Sequence, residues 1–287
     1  MRTFTLIGLV LFFLFPKDII YSEPLDQMKV HFIDVGQGDS IFIQTPNEKT
    51  ILIDAGPPKA GKTVVNFLKK HDVKKIDLLI ATHPDIDHIG GMPAVMKSFK
   101  VKKIIDSGKL HTTKTYLRYI NAIKSNKIPV GIARQNDTIT IDPLVNIQIL
   151  NAYEENKNNN QSSIVLKVSF QEVDFLLMGD SEREQEKRLI QTEDLQSEIY
   201  KVGHHGSNTS TSYKFVDLIK PQVAIITYSK QNDYGHPVDR VIRNLQKVNA
   251  NIYSTAVFGD ITISTDGEGY FIMTEKTPID GLTEKAG

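Results

Sequence analysis

The sequence contains no cysteine, which removes disulfides, thiolate zinc sites and thiol catalysis in one step. Any metal would therefore need nitrogen and oxygen ligands. An excess of one charge is also absent, because 34 Lys and Arg residues balance 34 Asp and Glu residues, which argues against a polyanionic or membrane partner. With 287 residues, 40% hydrophobic and 24% charged, the composition is that of a soluble globular protein with a full core.

Two frequent catalytic motifs are absent as well. No Ser-His-Asp order with a nucleophile elbow occurs in the sequence. The segment Gly61-Lys62-Thr63 lacks the first glycine of a P-loop at the required spacing, so the sequence does not support P-loop nucleotide binding.

The sequence also lacks a long apolar run, although a short one stands near its start. Phe4 to Phe15 is shorter than the roughly 20 residues that a membrane span needs. It follows Met1-Arg2, a pattern that predicts a signal peptide or an N-terminal anchor over residues 1–25, with a buried first strand as the alternative. We therefore expect an exported protein, periplasmic or extracellular, or one anchored by this segment, and a single domain over residues 26–287.

The balanced net charge conceals two segments of opposite sign. Residues 97–127 carry nine Lys or Arg against one acid, and residues 172–198 carry nine acids against three basic residues. Two solvated helix faces would explain this pattern. Alternatively, the first segment forms a basic rim that draws an anionic substrate toward the site described next.

The most polar loop of the sequence follows the apolar run 76–81, which has the length and composition of a buried strand. Within six positions this loop presents His83, Asp85, Asp87 and His88. Loops at the carboxyl ends of buried strands carry the chemistry of many α/β folds. His and Asp are also ligands for Zn, Mn and Fe, so the loop predicts a metal site rather than a merely solvated turn.

Other apolar strands end in residues of the same types. Asp180 ends one strand, the pair His204-His205 another, and His236 follows a third. Histidines scattered through a core would not gather at strand ends, so the set indicates a centre for two ions. Two ions about 3.5–4 Å apart need a bridging anionic ligand, for which Asp180 is the candidate. Strand pairs alternate with helices along the chain, which predicts a layered α/β or αββα protein.

Together these segments resemble the metallo-β-lactamase superfamily, and within it the hydrolase domain of ComEC-type DNA-uptake proteins. The matching stretches, in family order over residues 28–273, are FIDVGQGDS (Phe32–Ser40), ILIDAG (Ile51–Gly56), ATHPDIDHIGG (Ala81–Gly91), LLMGDSE (Leu176–Glu182), KVGHHGSNTS (Lys201–Ser210) and YGHP (Tyr234–Pro237). The resemblance implies a four-layer αββα sandwich, in which helices flank two central β-sheets and a dinuclear metal site lies at one edge.

The resemblance also implies roles for individual residues. Six side chains would bind two divalent ions, Zn²⁺ or Mn²⁺, with a single ion at rest as an alternative. These ligands are His83 and Asp85 for the first ion, Asp87, His88 and His205 for the second, and Asp180 for both. His204 would contact the substrate or bound water and act with Asp85 in catalysis, although His204 and His205 could exchange roles. The remaining implied residues are Asp54 and Asp34, which would support the ligands from behind, and His236, Ser207 and Asn160, which would contact the substrate.

One ligand of the superfamily is missing. The first ion usually receives a further histidine from the region before the Asp180 strand, but the sequence has no histidine between His111 and His204. Asn160, Ser162 or water would fill that position. The first site would then be richer in oxygen ligands, which makes Mn or Fe as plausible as Zn.

The ComEC resemblance implies phosphodiester hydrolysis by a metal-bridging hydroxide, on single-stranded DNA or another anionic phosphodiester. A related secreted branch acts on phosphorylcholine esters of teichoic acid, and a lactonase or β-lactamase would use the same site on an acyl carbon. A non-catalytic metal-binding or adhesion module is the remaining alternative. The sequence indicates no stable protein partner and leaves the oligomeric state open.

Overall fold

The computed structural model describes residues 27–155 and 157–277 of the chain. The predicted signal peptide or anchor, residues 1–25, lies outside these ranges and stays a prediction, as does the extent of the single domain. Within the described ranges, no helix combines the length and the apolar character that crossing a membrane would require.

The secondary structure alternates between strands and helices. The strands are, in chain order, β1 (Met28–Phe32), β2 (Ile41–Gln44), β3 (Thr50–Ile53), β4 (Lys75–Ile76), β5 (Leu78–Ala81), β6 (Lys100–Val101), β7 (Ile104–Asp106), β8 (Val130–Ile132), β9 (Thr138–Asp142), β10 (Val145–Asn151), β11 (Val165–Phe170), β12 (Val173–Leu177), β13 (Ile199–Lys201), β14 (Val223–Ile226), β15 (Asn251–Ser254), β16 (Ile261–Thr265) and β17 (Tyr270–Thr274). The α-helices are α1 (Gly61–Lys70), α2 (Ile86–Ile89), α3 (Met92–Ser98), α4 (Lys114–Asn126), α5 (Arg183–Thr192), α6 (Tyr213–Ile219), α7 (Asp239–Lys247) and α8 (Thr255–Phe258). Short 3-10 turns cover Pro58–Ala60, Asn160–Ser162 and Gly203–Gly206.

Two large mixed sheets form the centre of the molecule. The first has the strand order β17-β16-β1-β2-β3-β5-β7-β8, and the second has the order β15-β14-β13-β12-β11-β10-β9. Helices α1, α3 and α4 pack on the outer face of the first sheet, and α5, α6 and α7 pack on the outer face of the second. The predicted four-layer αββα sandwich is confirmed.

Strand residues alternate between two cores, because neighbouring side chains point to opposite faces of a sheet. In β2, Ile41 and Ile43 join the core between the two sheets, whereas Phe42 packs against the helices on the outer side. Leu52 of β3 also faces the helices, while both of its neighbours face the other sheet. Both faces of these strands are buried, which explains why their sequences are almost continuously apolar.

The parallel parts of the two sheets position the functional loops. Strands β3, β5 and β7 run parallel in the first sheet, and β12, β13 and β14 run parallel in the second. Successive parallel strands end at the same edge, so the loops after β5, β12 and β13 meet there. These three loops carry the predicted metal ligands.

The strands are least regular between residues 100 and 142. The segment 101–105 is not one strand, since Val101 ends β6 and Ile104 begins β7. Strands β8 and β9 lie at the edges of their sheets, and β8 exposes both of its apolar side chains, Val130 and Ile132.

His31 in β1 is a buried histidine whose titration is expected to make the fold sensitive to acid. Its buried ring stacks on Phe42, meets Phe67 edge-on, and has Nδ1 2.8 Å from Thr262 Oγ1. Burial, and next the neighbouring His71, lower the pKa of His31 from 6.5 to about 4. In the unfolded chain the imidazole binds a proton below pH 6.5, so the free energy of unfolding decreases as the pH falls from 6.5 toward 4.

We expect the wild-type protein to lose about 2 kcal/mol more unfolding free energy between pH 7 and pH 5 than the variant His31→Phe. Urea unfolding at the two pH values measures this difference, and all other histidines are shared by the two proteins. The control His111→Phe, at a position outside this core, should keep the wild-type pH dependence. Equal pH dependence in His31→Phe and the wild type would contradict the assignment.

Candidate metal centre

The loop after β5 is held in one conformation by its backbone. Residues 86–89, which the sequence suggests as loop, form the single turn of α2, and the His88 N–H donates back to the Asp85 carbonyl at 3.1 Å. Gly38 in the turn after β1 packs against this loop. A Cβ added at Gly38 would lie 2.2 Å from the carbonyl oxygen of Asp87, so only glycine permits this approach. The turn containing Gly38 therefore fixes the backbone that carries Asp87 and His88.

Four ligand-type side chains meet where the loops after β5, β12 and β13 converge. Ligand atoms of Asp87, His88, Asp180 and His205 all lie within 4.8 Å of one another. Nε2 of His88 is 3.3 Å from Asp180 Oδ2, and Nε2 of His205 is 3.4 Å from Asp180 Oδ1. Two ligands of one tetrahedral ion, each about 2.1 Å from it, stand about 3.4 Å apart. The spacing of this cluster therefore suits a shared ion.

His83 and Asp85 lie beside this cluster, at slightly longer distances. Nε2 of His83 is 3.6 Å from Asp85 Oδ2 and 3.8 Å from Asp180 Oδ2. The Nδ2 group of Asn159 donates to the other oxygen of Asp85 at 2.5 Å, which leaves Oδ2 facing His83. Asn159, directly before the 3-10 turn 160–162, therefore orients a predicted ligand. The sequence alone does not indicate this role.

The position of the missing histidine is only partly filled. Of the two side chains considered for it, Ser162 donates its hydroxyl to the Asn159 carbonyl at 2.5 Å and is used there. Asn160 faces the cavity, with Nδ2 3.3 Å from Nε2 of His204. Nε2 of His204 is in turn 3.8 Å from Asp180 Oδ2. Asn160 and His204 therefore lie on the open side of His83 and Asp85, the residues predicted to hold the first ion.

Buried polar atoms without partners show that these residues fit metal ions. Among the described residues, Nε2 of His83, His88 and His205 and Oδ1 of Asp180 are buried and lack a hydrogen-bond partner. Each such atom costs roughly 1–3 kcal/mol when it stays unsatisfied. Divalent ions shared by these atoms and by Asp85 and Asp87 would satisfy all of them, with the nitrogen and oxygen donors that Zn²⁺ or Mn²⁺ accepts.

In His88 and His205, the ring nitrogen Nδ1, opposite the unpartnered Nε2, is hydrogen-bonded within the protein. Nδ1 of His88 lies 2.7 Å from Asp54 Oδ2, and Nδ1 of His205 lies 2.8 Å from the Thr227 carbonyl oxygen. A carboxylate and a carbonyl only accept hydrogen bonds, so Nδ1 carries the proton in both rings and Nε2 presents its lone pair. Thr82 donates its hydroxyl to Asp54 at 2.5 Å and lies 3.1 Å from Nδ1 of His83. Asp54 therefore supports the ligand loop, as the resemblance implies.

The electrostatics of the cluster favour a cation. Burial alone would raise the pKa of Asp180, but His205 and His88 lower it well below its ordinary value. Burial likewise opposes ionisation of Asp87, and the neighbouring His205, 3.5 Å away, together with His88 still brings its pKa to about 2. For His88, the carboxylates of Asp180 and Asp54 outweigh burial and raise the pKa well above 6.5. The field that attracts a proton to His88 also attracts a metal cation.

The turn after β13 holds its histidines in a strained conformation. His204 and His205 both have positive φ, 48° and 52°, in the left-handed region that costs about 1–2 kcal/mol for a residue with a side chain. Strain of this kind persists where the surrounding structure over-determines it, and it concentrates at functional sites. The two imidazole rings point in different directions. His205 is buried in the cluster, whereas His204 is partly exposed toward the cavity.

A buried ion pair lies behind His205. Lys201 and Asp39 are almost completely buried, and Lys201 Nζ is 3.0 Å from Asp39 Oδ2. The other oxygen of Asp39 accepts a hydrogen bond from the Thr227 hydroxyl and lies 3.5 Å from Nδ1 of His205. Burial opposes ionisation of Asp39, but Lys201 and then His205 lower its pKa. Asp39 and Lys201 thereby fix the wall against which His205 rests.

The cluster opens into a cavity of about 210 Å³. The lining residues are Gln37, Asp85, Asp87, Asn160, Asp180, His204, His205, Tyr234 and His236. The predicted substrate contacts Asn160 and His236 are thus present at the cavity. Gln37 and Tyr234 are additional lining residues that stand within the quoted motifs, but nothing in the sequence distinguished them from their neighbours.

Two predicted site residues are placed elsewhere. Ser207 is buried outside the cavity lining, and its hydroxyl accepts the Thr209 N–H at 3.2 Å. Asp34 accepts the Gly36 N–H at 3.1 Å and so stabilises its own turn rather than a ligand. The supporting role expected of Asp34 belongs to Asp39, five residues later, because Asp39 is the carboxylate that reaches His205.

Comparison with known proteins identifies the family. A family model described as the metallo-beta-lactamase superfamily matches residues 33–229. The chain belongs to the metallo-beta-lactamase superfamily. It is 30% identical over 270 residues to ComE operon protein 3 of Bacillus subtilis, covering 88% of this chain and 34% of that protein. This match confirms the predicted resemblance to ComEC-type proteins.

Two further proteins widen the comparison. Endoribonuclease ysh1 of Aspergillus fumigatus is 24% identical over 194 residues, which cover 60% of this chain and 22% of that protein. The crystal structure of CmlA, a diiron beta-hydroxylase from Streptomyces venezuelae, aligns with a TM-score of 0.54 at 14% identity, covering 83% of this chain and 54% of CmlA. The chain spans about a third of the length of ComE operon protein 3 and a smaller share of the endoribonuclease. Both relatives therefore contain substantial further sequence.

Proposed function

We propose that this superfamily hydrolase is a metal-dependent phosphodiesterase that acts on nucleic acid or on a small anionic phosphodiester. The observation that carries the proposal is the convergence of three unpartnered histidine Nε2 atoms on Asp180, at the spacing of shared metal ligands. The endoribonuclease relative supports the choice of a phosphodiester bond, since its name denotes cleavage of RNA.

The residues would divide the two ions as follows. His83 and Asp85 would hold the first, Asp87, His88 and His205 the second, and Asp180 both. Bound divalent ions would supply a water molecule whose pKa is lowered to about 7 and would polarise the phosphoryl oxygen.

The protein's own side chains would orient the phosphodiester on the open side of the cavity. His204 and Asn160 lie there, in mutual contact, and both have nitrogen donors that suit phosphate oxygens. Burial lowers the pKa of His204, which favours a neutral ring. His236 forms part of the same wall. We infer that these groups bind the phosphate while Asp54 and Asp39 keep the ligand histidines in place.

Lys109, from the basic segment 97–127, lies beside this site. Its ammonium group lies 4.9 Å from the centre of the Tyr153 ring and donates to the Lys157 carbonyl at 2.5 Å. Lys109 lines an open cavity together with Asp85 and residues 158–160. A cation beside an otherwise acidic cluster suits a substrate that continues past the cleaved phosphate.

The proposal is tested with protein purified without added metal. We expect hydrolysis of bis(p-nitrophenyl) phosphate or single-stranded DNA after addition of Mn²⁺ or Zn²⁺, and loss of that activity with a chelator. The double variant Asp87→Ala, His88→Ala should lose at least about a hundredfold in rate, because changing even the groups behind metal ligands costs 10–100-fold.

The matched control is Asp72→Ala, His111→Ala, which removes the same two residue types outside the cavity. It should retain wild-type activity. Hydrolysis of nitrocefin in the absence of any phosphodiester cleavage would replace the proposal with acyl hydrolysis. Full activity in the Asp87, His88 double variant would exclude this metal centre as the reactive site.

A further inference from the structure

Tyr234 is an exposed aromatic side chain at the mouth of the metal centre. It lines the same cavity as Asp85, Asp87 and Asp180, yet 69% of the residue is exposed. An exposed ring that borders a charged cavity is available to a substrate that occupies the cavity.

The ring of Tyr234 belongs to a short series of stacked rings. It stacks on His236, with ring centroids 5.5 Å apart and an interplanar angle of 23°. His236 meets His204 edge-on at 5.6 Å, and His204 lies against Asp180. Two ring contacts therefore connect Tyr234 to the proposed reaction centre, and His236 covers one face of Tyr234 while the ring remains largely open to solvent.

The loop that carries Tyr234 is rigidly held. The carbonyl oxygen of the Asn232 side chain accepts the N–H groups of Tyr234 and His236, at 3.1 and 3.0 Å. The amide nitrogen of Asn232 donates to the carbonyls of Ser229 and His236, both at 2.7 Å. Val238 N–H donates to Gly206 O at 3.0 Å and ties the loop to the turn of His204 and His205. The ring is thus presented at little further cost in conformational entropy.

A single flat face favours a nucleobase over a cationic headgroup. Quaternary ammonium groups are recognised by aromatic cages, and Tyr234 is the one phenol ring among the lining residues of this cavity. A base stacks on one open aromatic face, and such stacking tolerates any sequence. The nitrogen donors of Asn160 and His204 would meanwhile face the adjoining phosphate.

We propose that Tyr234, backed by His236, is a stacking subsite for an unpaired nucleobase next to the cleaved phosphodiester. The inference rests on the proposed function and specifies its substrate as a single-stranded nucleic acid. A base within a duplex is already stacked on both sides and would not reach this ring without being unpaired.

The test combines Tyr234→Ala with oligonucleotides that carry one abasic position. Cleavage of a single-stranded oligonucleotide with Mn²⁺ should show a KM raised roughly 5- to 150-fold in Tyr234→Ala, as expected for the loss of one base–aromatic stack. One abasic position beside the cut should raise the wild-type KM by a similar factor and have no further effect in Tyr234→Ala. Tyr234→Phe should have the KM of the wild type, because it keeps the aromatic ring. The control Tyr213→Ala, at an exposed tyrosine on α6, should leave KM unchanged.

Three outcomes would overturn the inference while leaving the phosphodiesterase assignment intact. The first is an unchanged KM for the oligonucleotide in Tyr234→Ala. The second is that the abasic position raises the KM of Tyr234→Ala by the same factor as that of the wild type, so that the two effects multiply. The third is that Tyr234→Ala raises the KM for p-nitrophenylphosphorylcholine but not for the oligonucleotide. If no phosphodiester is cleaved at all, the proposed function fails. The subsite is then tested by measuring the binding of an oligonucleotide. The chain has no tryptophan, so the fluorescence of a 2-aminopurine oligonucleotide can be followed without indole background. Equal affinity of wild type and Tyr234→Ala for it would exclude the subsite.

Discussion

Replacing Asp180 with asparagine is expected to reduce phosphodiester hydrolysis by about a thousandfold or more, while the fold stays intact. Metal ions stabilise the transition state by several kcal/mol, and each 1.36 kcal/mol corresponds to a tenfold change in rate. The carboxylate of Asp180 reaches both His88 and His205, at 3.3 and 3.4 Å, and its Oδ2 also lies 3.8 Å from His83. Asparagine has the same shape but no charge, and it would turn an amide group toward one of these nitrogens.

The measurement is the steady-state rate on bis(p-nitrophenyl) phosphate together with the metal content per chain. Asp180→Asn should contain less metal than the wild type, and urea unfolding should show a cooperative transition. Asp239→Asn, at a side chain that is 93% exposed, is the matched control and should behave as wild type in all three respects. A rate within tenfold of wild type in Asp180→Asn would mean that Asp180 does not bridge the two ions.

Breaking the buried ion pair is expected to produce the largest loss of stability. Lys201→Met should lower the free energy of unfolding by about 3–5 kcal/mol, because it leaves the carboxylate of Asp39 buried without its partner. Lys201 is fully buried, and its ammonium group also donates to the Val202 carbonyl at 2.8 Å. Urea unfolding at pH 7 measures the effect. Lys74→Met removes a lysine from an exposed pair with Asp72 and should leave the unfolding midpoint unchanged.

A second variant separates stability from the positioning of His205. Combining Lys201→Met with Asp39→Asn removes both charges and should restore most of the lost stability, since an uncharged pair can occupy the space without an unpaired ion. Asp39 also lies behind His205, so metal affinity in the double variant should stay about 10–100-fold below wild type. A loss of less than 1 kcal/mol in Lys201→Met would contradict the buried-charge argument, and wild-type metal affinity in the double variant would contradict the positioning role.

Local pattern predicts the parts of this site that depend on single strands and the loops after them. Strand β5 is apolar on both faces and is followed by His83, and strand β12 is followed in the same way by Asp180. Parallel pairing then places such loops at one edge, so the candidate ligand set follows from local sequence together with the resemblance. The four-layer architecture follows for the same reason.

Contacts between the two sheets are not encoded locally, and the predictions fail there. The turn after β1 meets strand β13 only because the sheets stack, which brings Asp39 to Lys201. From sequence, Asp34 and Asp39 are equivalent acids in one turn, and their different roles depend on which of them faces the other sheet. Asn159 is likewise one of several neighbouring asparagines until the fold directs its side chain to Asp85.

The candidate metal ligands come from both halves of the sandwich, and this has a consequence for the lifetime of the protein. The loop after β5 extends from the first sheet, whereas Asp180 and His205 extend from the second. Ions bound between them would fasten the two sheets together, so separating the sheets would also release the metal. Ligand at a thousand times its dissociation constant adds about 4 kcal/mol to stability. The supply of metal around the protein would therefore control its resistance to proteolysis as well as its catalytic competence.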